Sequence, residues 1–551
     1  MPTITFALKD IQELTGKKLS IEDLNELMGY AKGAVEGYDK ESDQVSVSVD
    51  DTNLPYLWSA EGLARLFRQV LGYSKGIAPL KIHKGEYQVI VDESVSKIRP
   101  YIASFVARGK KVSEYLLKQM IQLQEKLSEG YGRRREKIAI GVYRLGHISF
   151  PVTYKATHPE SVRFVPLDFR KEMTQQEILE EHPKGIEYAS LLAGAKKYPL
   201  LMDDKRVVLS FPPIINSAAT GKVELGDQDL FIEATGTDQD SILLAMNIFA
   251  YALYERGFTI YSVDIRYKTK KITTPRMFEE KIKIRREAIH ELLGIECSDA
   301  EVKRLIEKAG YGYHAGSVLI PAYRKDILHQ NDVIEDIGIM YGYDKIPEYP
   351  MRSFTIGEQL PIHNFLDAAR EIMLGLGFQE MMTSLLSNKK TLYDRMHVKD
   401  LGTVEIQQYT SETFSVVRTW LIPILMDILS KNKHIEYPQQ IFEQGLVTVR
   451  KGDETLDYER IAAASCHERA DYTTVKQNVD ALLSSLGFAY EIEAYEYGSL
   501  IPGRSGLIWV NGKCIGFLGE IHPAVLEEFG LEFPVAVFEL NLTELFELAK
   551  K

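Results

Sequence analysis

The chain has 551 residues, 45% of them hydrophobic, and sets 78 acidic against 66 basic side chains for a net charge of -12. At about 100–200 residues per domain this length excludes a single core and implies roughly three to five domains. The acidic balance excludes a surface that binds nucleic acid throughout, so any such contact is confined to a local patch. Cys297, Cys466 and Cys514 lie far apart, which leaves neither a disulfide framework nor a Cys-x-x-Cys metal site in view and suits a reducing, cytoplasmic setting.

The opening "MPTITFALKDIQELTG" has no basic stretch followed by an apolar one, so a signal peptide is not expected. Residues 1–86 read as a small α+β unit. Ser20 starts a helix with Leu24, Leu27 and Met28 on one face, "VSVSVD" alternates as a strand, and Ser59 starts a second helix that closes at Gly72.

A second unit, 87–268, begins with the strand "YQVIVDE", followed by a helix over 114–128, the basic turn "GRRREK" and the strand "IAIGVY". "RVVLSFPPIINSAATG" and "DLFIEATGTD" are strand-plus-loop pairs, Asp240 is placed as the cap of a helix over 242–256, and "TIYSVDIRYK" is the closing strand. The run over 242–254 is the most apolar in the chain. Asn247 interrupts it, and it falls short of the ~18 residues that a membrane span requires. No membrane association is expected.

A third unit, 269–349, is expected to carry a helix over 277–293, a second helix opened by a Ser298…Glu301 capping box and stopped at Gly310, and a strand over 318–322. Short helices with strands suggest a winged-helix-like module. The linker "PEYPMRSFTIGEQLP" leads to the last unit, 357–551. There helices over 364–376 and 420–431, strands over 378–386 and 440–450, an Asn511-Gly512 hairpin turn and the final strand "VAVFELNL" read as an antiparallel sheet with helices on it. The fold class is therefore α+β, multidomain.

No phosphate-binding loop, His-Glu-x-x-His or Gly-x-Ser-x-Gly element is present. What does stand out is "YRKDILHQNDVIEDIGIMYGYDKIP". Asp332, Glu335 and Asp336 share one helical face, with Asp326 just upstream. Hard cations take carboxylate oxygens in such sets, but acids also gather at helix starts, where the dipole favours them, and the spacing leaves both readings open. The clusters "GRRREK" and "KIKIRRE" could meet nucleic-acid phosphates, although a solvated turn or helix face is the simpler account of each. His147, His314 and the Cys466-His467 pair stand alone and read as structural.

The acidic stretch resembles the end of the fifth domain of the phenylalanyl-tRNA synthetase β subunit, and the likeness continues through "DDTNLPYLWSAEGLARLFRQVLG", "RTWLIPILMDILSKN", "IFEQGLV" and "GRSGLIWVNGKCIGFLGEIHP". It covers nearly the whole chain. The length and the "FPPIINSAATG" block suit the archaeal and eukaryotic type; the extra RNA-binding modules of the bacterial type are not found. The resemblance implies that Asp326, Asp332, Glu335 and Asp336 bind Mg2+. It also implies that the chain joins an α subunit in an α2β2 heterotetramer that attaches phenylalanine to its tRNA with ATP and Mg2+.

The resemblance further implies that 357–551 is a class II synthetase-like domain. The Arg-x-Glu and Glu-Arg elements of class II chemistry are missing from it, so no catalytic residue for aminoacylation is expected in this chain. Residues 87–268 resemble the family's editing domain, for which there is a physical need: a phenylalanine pocket rejects tyrosine, which adds only a hydroxyl, by about 10². Ser210, Asn216, Ser217, Glu233, Thr235 and Thr237 are the editing candidates. No Cys or His lies among them, so water is the expected attacker, although Ser, Thr and Asn also crowd ordinary turns. Two rival readings are a stand-alone metal-dependent hydrolase built on the acidic cluster and a non-catalytic RNA-binding scaffold.

Overall fold

The computed structural model describes residues 2–277, 279–351 and 353–550. They fall into two compact units divided after Pro350.

In the first unit, a three-stranded antiparallel sheet takes the order Thr3–Ala7, Gln44–Val49, Gly33–Asp39. Its alternating Ile4, Phe6, Val45 and Val47 are buried, as period-2 patterning requires. Ser20 forms a capping box with Asp23 on helix Ile21–Gly29, and Ser59 Oγ accepts from Gly62 N at 3.1 Å to start helix Ala60–Val70.

The large sheet runs Ile215–Asn216, Val208–Phe211, Tyr198–Met202, Val152–Thr157, Ile82–Val91, Thr259–Arg266, Tyr101–Arg108, Leu230–Gly236, Ile138–Arg144, with Lys271–Thr274 paired to Thr259–Arg266. It is antiparallel except where Ile82–Val91 meets its two neighbours. Helix Gln239–Glu255 packs on Tyr101–Arg108 and Leu230–Gly236. It is apolar on every side because it is buried on every side. Asn247, the polar break in that run, donates from Nδ2 to Arg276 O at 2.7 Å and Ala322 O at 2.8 Å, so the interruption ties the helix to two other segments. No helix among the described residues is long and apolar enough to cross a membrane.

Residues 280–341 add the sheet Glu280–Lys283, Ser317–Ile320, Gly312–His314 and helices Arg286–Leu293, Asp299–Lys308 and Gln330–Tyr341. A single buried apolar cluster extends from Ile4 to Met340, so the three segments distinguished along the sequence share one core.

The second unit is built on a seven-stranded sheet in the order Gln379–Glu380, Gln439–Lys451, Glu454–Cys466, Val535–Asn541, Lys513–Ile521, Leu500–Val510, Glu491–Ala494. All its pairs are antiparallel except the first. Ala462, Ala464, Val535 and Val537 join one apolar cluster while Ile461, Ala463, Ala536 and Phe538 join another. Alternate residues therefore face two covered sides, which explains the continuous apolar runs. Asn511 and Gly512 have φ of 52° and 75°, the paired left-handed geometry of a two-residue hairpin turn.

Several expectations need correction. The helix placed over 277–293 is a strand, Glu280–Lys283, followed by helix Arg286–Leu293, because Ser317–Ile320 offers the first part a pairing edge; Phe278 lies outside the described residues. Asp238 caps helix Gln239–Glu255 through Ser241 N at 2.7 Å, not Asp240. The strand placed over 378–386 is reduced to Gln379–Glu380 and Leu386–Ser387. Between them the chain leaves the sheet edge, with Met382 97% exposed. The helix placed from 420 starts at Ile422, since Trp420 Nε1 donates to Leu392 O at 3.1 Å and Pro423 suits the first turn.

Candidate functional site

Strand Leu230–Gly236 is buried along its length between Tyr101–Arg108 and Ile138–Arg144. Ile232 and Ala234 face helix Gln239–Glu255 and its core. The alternate Glu233 and Thr235 face the opposite way, into a cavity of about 200 Å³. The far wall is the loop over 210–216, and Ala139, Ile140 and Arg135 close a third side.

Polar groups converge there. Tyr143 Oη lies 2.8 Å from Ser210 Oγ, 2.8 Å from Glu233 Oε1 and 3.4 Å from Asn216 Oδ1. Glu233 Oε2 is buried and has no protein partner among the described residues. Burial is the main cause that pushes the Glu233 carboxyl up to about 8; the Tyr143 hydroxyl and the Arg99 guanidinium pull the other way. Near neutral pH the side chain is therefore a neutral acid that both donates and accepts. Gly141 stands opposite Glu233 in the sheet. A Cβ there would lie 2.2 Å from the Tyr143 hydroxyl and 2.7 Å from Glu233 Oε1, so the meeting of these two groups requires glycine.

Arg99 anchors the strand end. Its Nε donates to Thr235 Oγ1 at 3.0 Å, its Nη2 to Thr235 O at 2.6 Å and its Nη1 to Glu136 O at 3.0 Å. With Oγ1 accepting from Arg99, the Thr235 hydroxyl keeps its own proton to donate. Burial draws the Arg99 guanidinium down to about 10.

Of the six candidates, Ser210, Asn216, Glu233 and Thr235 line the cavity. Ser217 does not; its Oγ accepts from Ala219 N at 3.1 Å in a local turn. Thr237 is exposed and donates to Glu136 O at 3.2 Å. Tyr143 and Arg99 were not singled out from the sequence, and Arg135 was noted only as part of the basic turn "GRRREK". Tyr143 sits in an apolar strand and reads as core; its one signal is Gly141, two residues away on the same face of the strand.

The "GRRREK" turn adjoins the cavity. Arg133, Arg134 and Arg135 have φ of 50°, 50° and 66°, a left-handed conformation that costs a non-glycine residue roughly 1–2 kcal/mol each. In the other basic cluster Arg285 pairs with Glu291 at 3.6 Å and Arg286 with Asp299 at 3.5 Å. Burial pushes the Cys466 thiol up to about 11, which leaves it an inert core residue.

The four carboxylates are arranged otherwise than a single ligand set. Arg324, 5% exposed, lies between Asp326, which it pairs through both Nε and Nη2, and Asp336 Oδ2, 2.7 Å from Nη1. The Tyr311 hydroxyl also donates to Asp336. Asp332 Oδ2 accepts from Leu328 N and His329 N at 2.7 Å each, as a helix-start carboxylate does. Glu335 Oε1 accepts from Lys32 Nζ at 2.6 Å. Among the described residues no group of three or more His, Cys, Asp or Glu is placed to hold a metal. In this arrangement the four side chains do not form one ligand set for Mg2+: Arg324 supplies the counter-charge of Asp326 and Asp336, Lys32 that of Glu335, and backbone N–H groups occupy Asp332.

In the second unit several buried charged groups are likewise engaged. Arg418 Nη1 pairs with Glu443 Oε1 at 2.5 Å, Thr383 Oγ1 donates to Glu443 Oε2 at 2.7 Å, and Glu539 Oε2 accepts from Leu421 N and Ile422 N at 2.9 and 3.1 Å.

Two family models match the chain: the phenylalanyl tRNA synthetase beta chain CLM domain over residues 346–542 and the tRNA synthetase B5 domain over residues 282–343. A phenylalanine–tRNA ligase beta subunit from Pyrococcus horikoshii is 41% identical over 556 residues, covering 99% of this chain and 100% of the relative. One from Archaeoglobus fulgidus is 39% identical over 90% of each. The crystal structure of an N-terminal fragment of the Pyrococcus horikoshii phenylalanyl-tRNA synthetase beta subunit superposes with a TM-score of 0.60 at 40% identity, covering 62% of this chain and 100% of the fragment.

Proposed function

This chain belongs to the phenylalanine–tRNA ligase β-subunit family, and from that premise we propose that it supplies the ligase with a site that hydrolyses tyrosine wrongly joined to the phenylalanine tRNA. The observation that carries the reading is the buried, neutral Glu233, which lines a cavity with Ser210, Asn216 and Thr235 and whose Oε2 has no protein partner among the described residues. A phenol reaching that oxygen finds a group that can donate or accept. A phenylalanine ring would leave it unsatisfied, and leaving a buried polar group unpaired costs about 1–3 kcal/mol. The pocket thus tests for the hydroxyl that the synthetic pocket discriminates poorly.

The lining offers no Cys or His, so the attacking group is water. Its oxygen adds to the ester carbonyl, the bond to the terminal ribose oxygen breaks, and the proton lost by water ends on that oxygen, releasing tyrosine and free tRNA. Thr235 and Asn216 are the polar side chains that would orient the ester and the water.

On the same reading the domains are 1–86, 87–268 for editing, 269–349 as a winged-helix-like module and 357–551 as a class II synthetase-like domain without its chemistry. The buried pair Arg418–Glu443 and the half-buried Arg460 on buried Glu539 support the last assignment, since they spend on the fold the charges that a nucleotide would need. The chain acts with an α subunit in an α2β2 heterotetramer in the cytoplasm. There ATP and Mg2+ serve phenylalanine activation, while Asp326, Asp332, Glu335 and Asp336 serve the fold through their protein donors. That commitment also disfavours the stand-alone metal-dependent hydrolase.

Replacing Thr235 or Asn216 by Ala is expected to slow release of tyrosine from mischarged tRNA at least tenfold, with mischarged tRNA accumulating during aminoacylation. Unchanged deacylation in both variants would place the site elsewhere and return the chain to an RNA-binding scaffold.

A further inference from the structure

The basic turn at the cavity is unexplained by the pocket chemistry alone. Resting on the editing reading above, we propose that Arg133 and Arg134 hold phosphates of the single-stranded 3′ end of the tRNA and so deliver its terminal aminoacyl ester into the cavity.

Position is the first support. The turn joins Lys126–Tyr131 to strand Ile138–Arg144, which itself supplies Ala139 and Ile140 to the cavity wall. Arg135 belongs to that wall. Its guanidinium lies 4.2 Å from the centre of the Tyr188 ring and its Nη1 donates to Ile214 O at 2.9 Å, reaching the loop across the cavity. The two residues before it are exposed. Among the described residues neither Arg133 nor Arg134 has an ion pair or side-chain hydrogen bond, whereas Arg135 is paired with Glu129 at 3.3 Å.

Rigidity is the second. Three successive arginines hold positive φ, a conformation in which glycine or asparagine would be unstrained. The backbone is fastened along the turn: Arg133 N to Gly130 O at 3.1 Å, Arg134 N to Glu129 O at 3.0 Å, Arg135 N to Ser128 O at 2.9 Å, Lys137 N to Gly132 O at 2.8 Å. Strain of this kind persists only where the surroundings over-determine it. It turns two unpaired guanidinium groups to solvent beside a wall whose third arginine is fixed.

Charge is the third. A chain of net charge -12 repels RNA over most of its surface, so a local pair of uncompensated guanidinium groups is where a polyanion gains most. Arginine suits phosphate through its fork of donors. The partner chosen is a single strand because the cavity takes one side chain and its ester, which only a free end can present.

The test is steady-state deacylation of Tyr-charged phenylalanine tRNA by the full chain assembled with its partner subunit, at several salt concentrations. The double variant Arg133→Gln/Arg134→Gln is expected to raise KM about tenfold and leave kcat within twofold. It is also expected to flatten the dependence of log kcat/KM on log salt by about 1.4, at roughly 0.7 per single-strand phosphate lost. Arg133→Lys/Arg134→Lys, which keeps the charge, is expected to recover most of the KM. A double glutamine variant with wild-type KM and salt slope would overturn the phosphate role while leaving the editing site intact. Absence of tyrosine release by the wild-type assembly would instead overturn the editing reading, and this inference with it.

Discussion

Glu233 carries the sharpest consequence at the scale of one residue. Its carboxyl is held above the ordinary value of 4.5, at about 8, chiefly by burial. The fold therefore favours its neutral form. That contribution is fully present below about pH 4.5 and is lost as pH rises through about 8, where the folded chain must carry a buried charge. Glu233→Gln keeps the shape and cannot ionise. Its stability relative to wild type is expected to rise between pH 5 and pH 9, by up to about 4 kcal/mol, measured by denaturant unfolding at each pH. A difference that stays flat across that range would show that Glu233 is not buried neutral. Ser210, Asn216, Glu233 and Thr235 could be picked out because polar residues stand together in two strand-plus-loop segments of a stretch that resembles an editing domain; Ser217 and Thr237, chosen on the same ground, do not line the cavity. Tyr143 was not, because a tyrosine in an apolar strand has the pattern of a core residue and only its partner's position reveals the contact.

At the scale of elements, the acidic helix Gln330–Tyr341 shows what spacing conveys and what it omits. Three carboxylates on one face were legible, but their counter-charge was not. Arg324 sits two residues before Asp326 and is buried between Asp326 and Asp336, a pairing with the helix that spacing alone does not reveal. Removing one partner of such a buried set leaves charge uncompensated. Arg324→Met is expected to destabilise the chain by about 3–5 kcal/mol, while a chelator is expected to leave the wild-type melting temperature unchanged. A chelator-induced drop that Mg2+ reverses would show that the carboxylates rearrange around an ion. The strand Glu280–Lys283 was missed for a related reason: "EKIK" has no strong preference of its own, and the edge of Ser317–Ile320 decides its conformation.

At the scale of the whole molecule, many individual helices and strands were legible from caps, turns and alternation. The gathering of residues 1–350 into one compact unit was not. Residues from Ile4 to Met340 share one core, since a helix such as Gln239–Glu255 buries all its faces by packing against distant segments that no local pattern announces. The second unit was easier, because two-sided burial writes continuous apolar strands and Asn511-Gly512 marks its hairpin. The family relationship places the chain in an aminoacyl-tRNA ligase, and tyrosine release is the task proposed for the cavity of the first unit. The most direct test is a comparison of release rates by the wild-type full chain from one phenylalanine tRNA, charged either with tyrosine or with phenylalanine. Selection for the phenol by Glu233 predicts faster release of tyrosine by at least tenfold, in line with the cost of leaving a buried polar group unpaired. Equal rates for the two, or no release of either, would contradict it.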